Sequence, residues 1–133
     1  MLFNELISQA GKTMGLSQLH PNAQGSLSLS IDGKTFTIKH FENTDQVFVV
    51  YEFEKLPSRD AERSRAMEFF LKENCFYKGV GGGIVGLKDD VPYYTYRTEL
   101  ENLTPSTLLD ILKAVVETCF DLEKRLSDAL SEA

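Results

Sequence analysis

The chain has 133 residues, of which 42% are hydrophobic, so we expect one domain over residues 1–133 with a substantial core. A formal net charge of −6 argues against binding nucleic acid, because phosphates need surplus lysine and arginine to neutralise them. No apolar run approaches the roughly 20 residues that span a bilayer. The N-terminus carries an acidic residue where a signal peptide has basic ones, so we expect a cytoplasmic protein without membrane insertion.

The N-terminal segment predicts a short amphipathic helix at residues 2–14. Its apolar side chains recur on one stripe, and Gly15 stands where a helix would stop. Phe3 and Ile7 belong to this stripe. They form a candidate binding patch if the strands do not supply one.

Residues 27–38 predict a β-hairpin. Apolar residues alternate first with serines and then with threonines, and Asp32-Gly33 between the two runs is a strong signal for a two-residue turn. With that turn, Leu29 faces Phe36 and one face of the hairpin is apolar. His40 continues the apolar side, which indicates a hydrogen-bonded or partly exposed histidine and not a catalytic one.

Residues 47–53 predict a third strand with almost no alternation, so both of its faces need cover. Phe48 and Val50 lie on one of these faces. One interpretation is that this face binds a partner chain or ligand. The other is a strand buried in the centre of the sheet, and the sequence leaves both open.

Residues 59–76 predict a second helix, with Ser58 or Asp60 as its cap. Met67, Phe70, Leu71 and Cys75 recur at spacings of three and four and should pack on one face. Phe69 and Phe76 lie off that face, and a second apolar stripe indicates a partner.

A glycine-rich run at residues 79–83 leads into a predicted strand with Ile84, Val85 and Leu87. Residues 81–86 match the pattern G-x-G-x-x-G of a phosphate cradle, but a dinucleotide fingerprint follows a strand and opens a helix. Here the helix comes first, and no Walker lysine follows. We interpret the run as a closely packed strand entry.

Residues 91–98 predict the last strand, which carries Tyr93, Tyr94 and Tyr96, a residue type enriched at interfaces. Thr104-Pro105 then marks the start of a long C-terminal helix, with an N-cap followed by proline. Cys75 and Cys119 both fall on predicted apolar helix faces, which favours buried thiols over a disulfide or metal site.

The element order is therefore α-β-β-β-α-β-β-α, which predicts an α+β fold with a twisted antiparallel sheet flanked by helices. No grouping of nucleophile, base and orienting residue stands out, so we expect no enzyme activity and no cofactor or metal. The carboxylates at residues 89–90, 99 and 101 lie at predicted turns and are interpreted as solvated charge.

The chain resembles a class I type III secretion chaperone of the Tir chaperone family from its first helix to its last. The residues that carry the resemblance are Met14-Gly15-Leu16, the first strand and turn at 27–33, the strand end at 53–57, the run 71–87 with Asn74 and the glycines, and Leu103-Thr104-Pro105. The resemblance implies a homodimer built on the second helix and the strand after it. It also implies binding of the N-terminal region of a secreted effector in extended form, without ATP.

The candidate site residues follow from the surplus apolar surface. The off-face aromatics and the glycine entry indicate a dimer interface at Phe69, Phe76, Gly82 and Ile84. The candidate effector-binding residues are Phe3, Ile7, Phe48, Val50, Tyr94 and Tyr96. The alternative is a non-catalytic regulatory or adaptor domain of the same fold that binds a folded regulator of secretion. A third interpretation is a small-molecule enzyme that uses the glycine run.

Overall fold

The computed structural model describes residues 1–16 and 19–131. Three α-helices and five strands follow in the predicted order: α1 (Phe3–Thr13), β1 (Ser26–Ile31), β2 (Lys34–Phe41), β3 (Gln46–Glu52), α2 (Asp60–Asn74), β4 (Ile84–Lys88), β5 (Val91–Glu99) and α3 (Pro105–Ser131). Short 3₁₀ turns at Cys75–Tyr77 and Leu100–Asn102 follow α2 and β5. None of the helices in the described ranges has the length and apolar content needed to cross a bilayer.

The five strands form one antiparallel sheet in the order β1-β2-β3-β5-β4, so β1 and β4 are its edges. In the first hairpin Leu29 pairs with Phe36 and Leu27 with Ile38, which confirms the predicted register. The β4–β5 hairpin closes with Lys88 opposite Val91.

The predicted helix ends agree with the structure for α3 but not for α2. Thr104 caps α3 as predicted, because the N–H of Thr107 donates to its Oγ1 at 3.1 Å. The cap predicted for α2 is wrong: Arg59 occupies the cap position, with no side-chain hydrogen bond. The C-terminal end of α2 is also earlier than predicted, at Asn74, because Phe76 adopts a left-handed conformation that breaks the helix.

The backbone falls into two compact units, each built from two segments of sequence: Met1–Val50 with Arg97–Ala114, and Tyr51–Tyr96 with Val115–Ala133. We call them unit 1 and unit 2. The buried side chains of unit 1 include Leu6, Ile7, Phe36, Ile38, Val47, Val49 and Leu108. Those of unit 2 include Phe53, Ala66, Phe70, Val80, Tyr94, Val115 and Leu122. That residues 1–133 form a single domain stays a prediction.

Candidate functional site: two apolar surfaces

In unit 1, the side of the sheet opposite the buried residues carries an apolar patch. Phe41 and Phe48 are cross-strand neighbours in an edge-to-face contact, with ring centroids 5.0 Å apart. Phe41 is 44% exposed, while Phe48 and Val50 are half-buried. Ser28 and Thr37 continue this side with a hydroxyl–hydroxyl contact of 3.2 Å. We call these five residues the outer face.

Side chains of β3 alternate between buried and half-buried, which shows which of its apolar residues belong to the core. Val47, Val49 and Tyr51 are buried, whereas Phe48 and Val50 point to the outer face. The sequence shows no alternation here because residues on both sides are apolar. A groove of about 540 Å³ adjoins the outer face, lined by Ala23–Gly25, residues 39–44, Gln46 and Phe48.

Two predicted binding residues in α1 are buried and cannot meet a partner in this conformation. Phe3 is 5% exposed and Ile7 is 1% exposed. The Phe3 ring stacks on the His40 imidazole, with centroids 4.9 Å apart. His40 in turn lies 2.9 Å from the Asp45 carboxylate through its Nε2, so it is a structural residue with partners, as the sequence indicated. The prediction that Phe3 and Ile7 form a binding patch is therefore wrong.

Tyr94 is likewise wrong as an exposed anchor, because its side chain is fully buried. Its hydroxyl donates to the carbonyl of Val80 at 2.8 Å, and burial raises the pKa of the phenol. Gly83 makes room for it: a β-carbon there would lie 2.6 Å from the Tyr94 ring and hydroxyl. This contact supports the close-packing interpretation of the glycine run. Tyr96, on the same strand, is half-buried.

In unit 2, exposed apolar side chains gather on α2, the 3₁₀ turn and β4. We define the α2–β4 surface as Met67, Leu71, Phe76, Tyr77, Ile84 and Leu87, whose exposure runs from 38% to 92%. Between α2 and β4 an apolar cleft of about 220 Å³ is lined by Leu56, Met67, Phe70, Leu71, Asn74, Val85–Leu87 and Pro92. No charged side chain lines this cleft.

The four predicted dimer residues differ in exposure. Phe76 is 92% exposed and Ile84 is 46% exposed, and Gly82 is exposed as well. Phe69 is half-buried, because it packs edge-to-face on Phe70 at 5.4 Å. Ile84 points away from the cleft, since Val85 and Leu87 line it and side chains alternate along a strand.

The helical face predicted to be buried is mostly open. Of its four residues only Phe70 is buried, while Met67, Leu71 and Cys75 are exposed. The predicted burial is therefore wrong for Cys75 and confirmed for Cys119, and burial raises the pKa of the Cys119 thiol. Leu71 was not predicted as a surface residue, because spacing defines an apolar stripe without showing what covers it.

At each edge of the sheet, an asparagine pairs with the backbone of one edge residue. In unit 2 the Asn74 amide binds β4 as another strand would, because its Nδ2 donates to the Val85 carbonyl and its Oδ1 accepts from the Val85 N–H, both at 2.8 Å. In unit 1 the Ser26 N–H donates to Asn22 Oδ1 at 3.0 Å, and its carbonyl accepts from the Asn22 N–H at 2.8 Å. Across the described ranges, no group of three His, Cys, Asp or Glu side chains is placed to hold a metal ion.

Several solved structures share this fold. The SchA–HopA1 chaperone–effector complex matches with a TM-score of 0.68 and 15% identity over 86% of this chain and 88% of that one. The Yersinia pestis type III secretion chaperone SycH, in complex with a stable fragment of YscM2, matches with a TM-score of 0.69 and 16% identity over 91% and 99%. An uncharacterised protein of Methanothermobacter thermautotrophicus matches with a TM-score of 0.67 and 13% identity over 97% and 99%.

At such low identity these structures establish the fold alone. A comparison with curated proteins gives no sequence match. The sequence model of the Tir chaperone protein (CesT) family, however, matches residues 5–122, which is most of the chain. This protein therefore belongs to the Tir chaperone protein (CesT) family.

Proposed function

We propose that this protein is a non-catalytic, cytoplasmic type III secretion chaperone. It binds the N-terminal region of a secreted effector in extended form and keeps it competent for export. Family membership supports this role. So do two of the relatives by fold: one is a chaperone bound to an effector, and the other a secretion chaperone bound to a protein fragment.

The observation that carries the proposal is the outer face of unit 1. Phe41, Phe48 and Val50 offer apolar side chains that the chain itself leaves partly exposed. Burying such a side chain contributes roughly 1.5–3 kcal/mol. Several anchors of this kind offset the cost of ordering an unfolded segment, which a soluble chaperone must meet without ATP.

The edge strand β1 supplies the backbone half of the recognition. With Asp32-Gly33 as a two-residue turn, Ile31 and Lys34 form the first hydrogen-bonded pair, so Ser28 and Ser30 turn their N–H and carbonyl groups to the outer edge. Asn22 occupies the edge at Ser26, and Asn74 occupies β4 at Val85. An added cargo strand therefore fits β1 at Ser28 and Ser30.

The second half of the proposal is a homodimer through the α2–β4 surface. Phe69, Phe76, Gly82 and Ile84 remain our dimer residues, joined now by Leu71. Without the buried Phe3, Ile7 and Tyr94, the proposed effector-binding residues are Phe41, Phe48 and Val50. Tyr96, in unit 2, stays a separate candidate.

Substitution of the outer face tests cargo binding. The double variant Phe48→Asp/Val50→Asp should weaken binding of the N-terminal region of a secreted protein at least about tenfold, or about 1.4 kcal/mol. Its mass in solution and its far-UV circular dichroism spectrum should match those of the wild type, since both side chains are only half-buried. Titration calorimetry against the isolated N-terminal segment measures the change.

Leu2→Asp is the control, because Leu2 is 69% exposed outside the outer face and should leave affinity unchanged. Unchanged cargo affinity in a folded double variant would place the site elsewhere. A partner that binds only as a folded domain, with no affinity for its isolated N-terminal segment, would favour the regulatory alternative.

A further inference from the structure

The 3₁₀ turn after α2 holds two adjacent aromatic residues in the left-handed backbone region. Phe76 has φ 55° and Tyr77 has φ 57°. Residues with a large side chain rarely adopt this region, so the surrounding structure has to hold them there. Both side chains project outward, 92% and 58% exposed, and belong to the α2–β4 surface.

One side chain of α3 joins the two ends of this turn. The guanidinium of Arg125 forms an ion pair with the Glu73 carboxylate, at the end of α2. Its Nη2 also donates to the carbonyl of Gly79, just beyond the turn, at 3.3 Å. Asp121 orients the same guanidinium through a 2.9 Å contact to Nε, and the Phe69 ring lies 5.7 Å below it.

The backbone comes back on itself at the same place. The Gly79 N–H donates to the Glu73 carbonyl at 3.0 Å. A β-carbon on Gly79 would lie 2.7 Å from the Glu73 carboxyl group, so a larger residue here would displace the Glu73 side chain. Arg125 thus joins residues 73 and 79 through its side chain, in addition to the backbone hydrogen bond between them.

We propose that Arg125 is a positioning residue for dimer formation: it fixes the turn so that Phe76 and Tyr77 already project as a partner copy needs them. This inference rests on the proposed dimer. Preorganisation of this kind strengthens association because the turn no longer has to be ordered on binding. A lysine cannot substitute, since it lacks the planar fork that reaches a carboxylate and a carbonyl together.

The test compares Arg125→Gln, Arg125→Lys and a matched control, Arg63→Gln, which removes a different arginine ion pair of unit 2, the one to Asp90. Sedimentation equilibrium gives the dimer dissociation constant, and hydrogen exchange reports on residues 75–80. We expect both Arg125 variants to raise the dissociation constant by at least about tenfold and to speed exchange in the turn. Arg63→Gln should change neither.

Glu73→Gln keeps the size of the side chain and serves if Arg125→Gln fails to fold; it should shift both measurements in the same direction. A dimeric wild type with unchanged dissociation constants in the folded variants would overturn the role of Arg125 alone. Unchanged exchange at residues 75–80 would overturn it as well. A monomeric wild type would overturn the proposed dimer itself. The mass of the wild type alone gives this result, so it is distinguishable from a failure of the Arg125 proposal.

Discussion

An ion pair with α2 and a backbone hydrogen bond hold the turn between β4 and β5. Asp89 and Asp90 both have positive φ, at 52° and 66°, which aspartate tolerates better than most residues. Arg63 of α2 donates from Nη2 to Asp90 Oδ1 at 2.5 Å, and the Asp90 backbone carbonyl accepts from the N–H of Leu56 at 2.9 Å. The hydrogen bond from Arg63 lowers the pKa of Asp90.

Arg63→Gln should therefore raise the pKa of Asp90. Because the folded pKa of Asp90 is lowered, the stability that the pair contributes is present above the unfolded pKa of about 3.9 and is lost as pH falls through the folded value. Carboxyl NMR titration measures the shift, and urea unfolding at neutral and acidic pH measures the loss. Wild type and Arg63→Gln should differ less in acid.

The matched control is Arg59→Gln, since Arg59 pairs with Glu62 at 3.7 Å on an open surface and should leave Asp90 unaffected. An Asp90 pKa that is the same in the wild type and in Arg63→Gln would contradict the assignment of the shift to Arg63.

At the scale of elements, the edge strand β4 depends on one amide. Asn74, the last residue of α2, is the only residue of that helix for which paired hydrogen bonds to β4 are seen in the described chain, both to Val85. A side-chain amide has one donor and one acceptor group spaced to match a peptide unit, so it replaces a neighbouring strand. Such a contact also protects the edge against pairing with other chains.

Asn74→Ala should lower the free energy of unfolding by roughly 1–3 kcal/mol, because it leaves the N–H and carbonyl of Val85 without their partner at a partly buried site. Urea unfolding measures this loss, and hydrogen exchange of the Val85 amide should accelerate. Asn4→Ala, on the exposed side of α1, is the control and should lie close to the wild type. Equal stability of the two variants would refute a structural role for Asn74.

How far the sequence predicted these elements depends on how local their causes are. The register of the first hairpin was predicted because a two-residue turn fixes it within a few residues. The end of α2 was missed, because the residues that hold the left-handed turn include Arg125, distant in sequence. Tyr94 was misplaced because alternation separates two faces without saying which one is the core.

The candidate site shows the same limit. Phe48 and Val50 were identified because their strand is apolar on both sides, and they do lie opposite the buried residues. Phe41 continues the same side of β2 and was within reach of the alternation argument, but Leu71 was not. Its stripe also contains the buried Phe70, whose ring packs on Phe53 at 5.3 Å, and such a contact between residues distant in sequence decides which member is covered.

At the scale of the whole molecule, the exposed apolar side chains of α2 and β4 need an explanation in a chain that carries a net charge of −6. Leu71, Phe76 and Leu87 are 71%, 92% and 49% exposed, and Leu71 and Leu87 line the same cleft. Soluble monomers rarely present such a set without a partner. We therefore expect the protein in solution to have twice the 15.0 kDa mass of one chain.

Leu71→Asp tests this expectation sharply. In an isologous interface a substitution appears twice, and a charge buried without a partner costs several kcal/mol, so the variant should be a folded monomer. Because Leu71 is exposed within the chain, its replacement should leave the melting temperature of the monomer unit little changed. Light scattering at tens of micromolar protein gives the mass. Leu2→Asp, with the almost identical exposure of 69%, should remain a dimer; if both variants keep the wild-type mass, the contact lies outside α2 and β4.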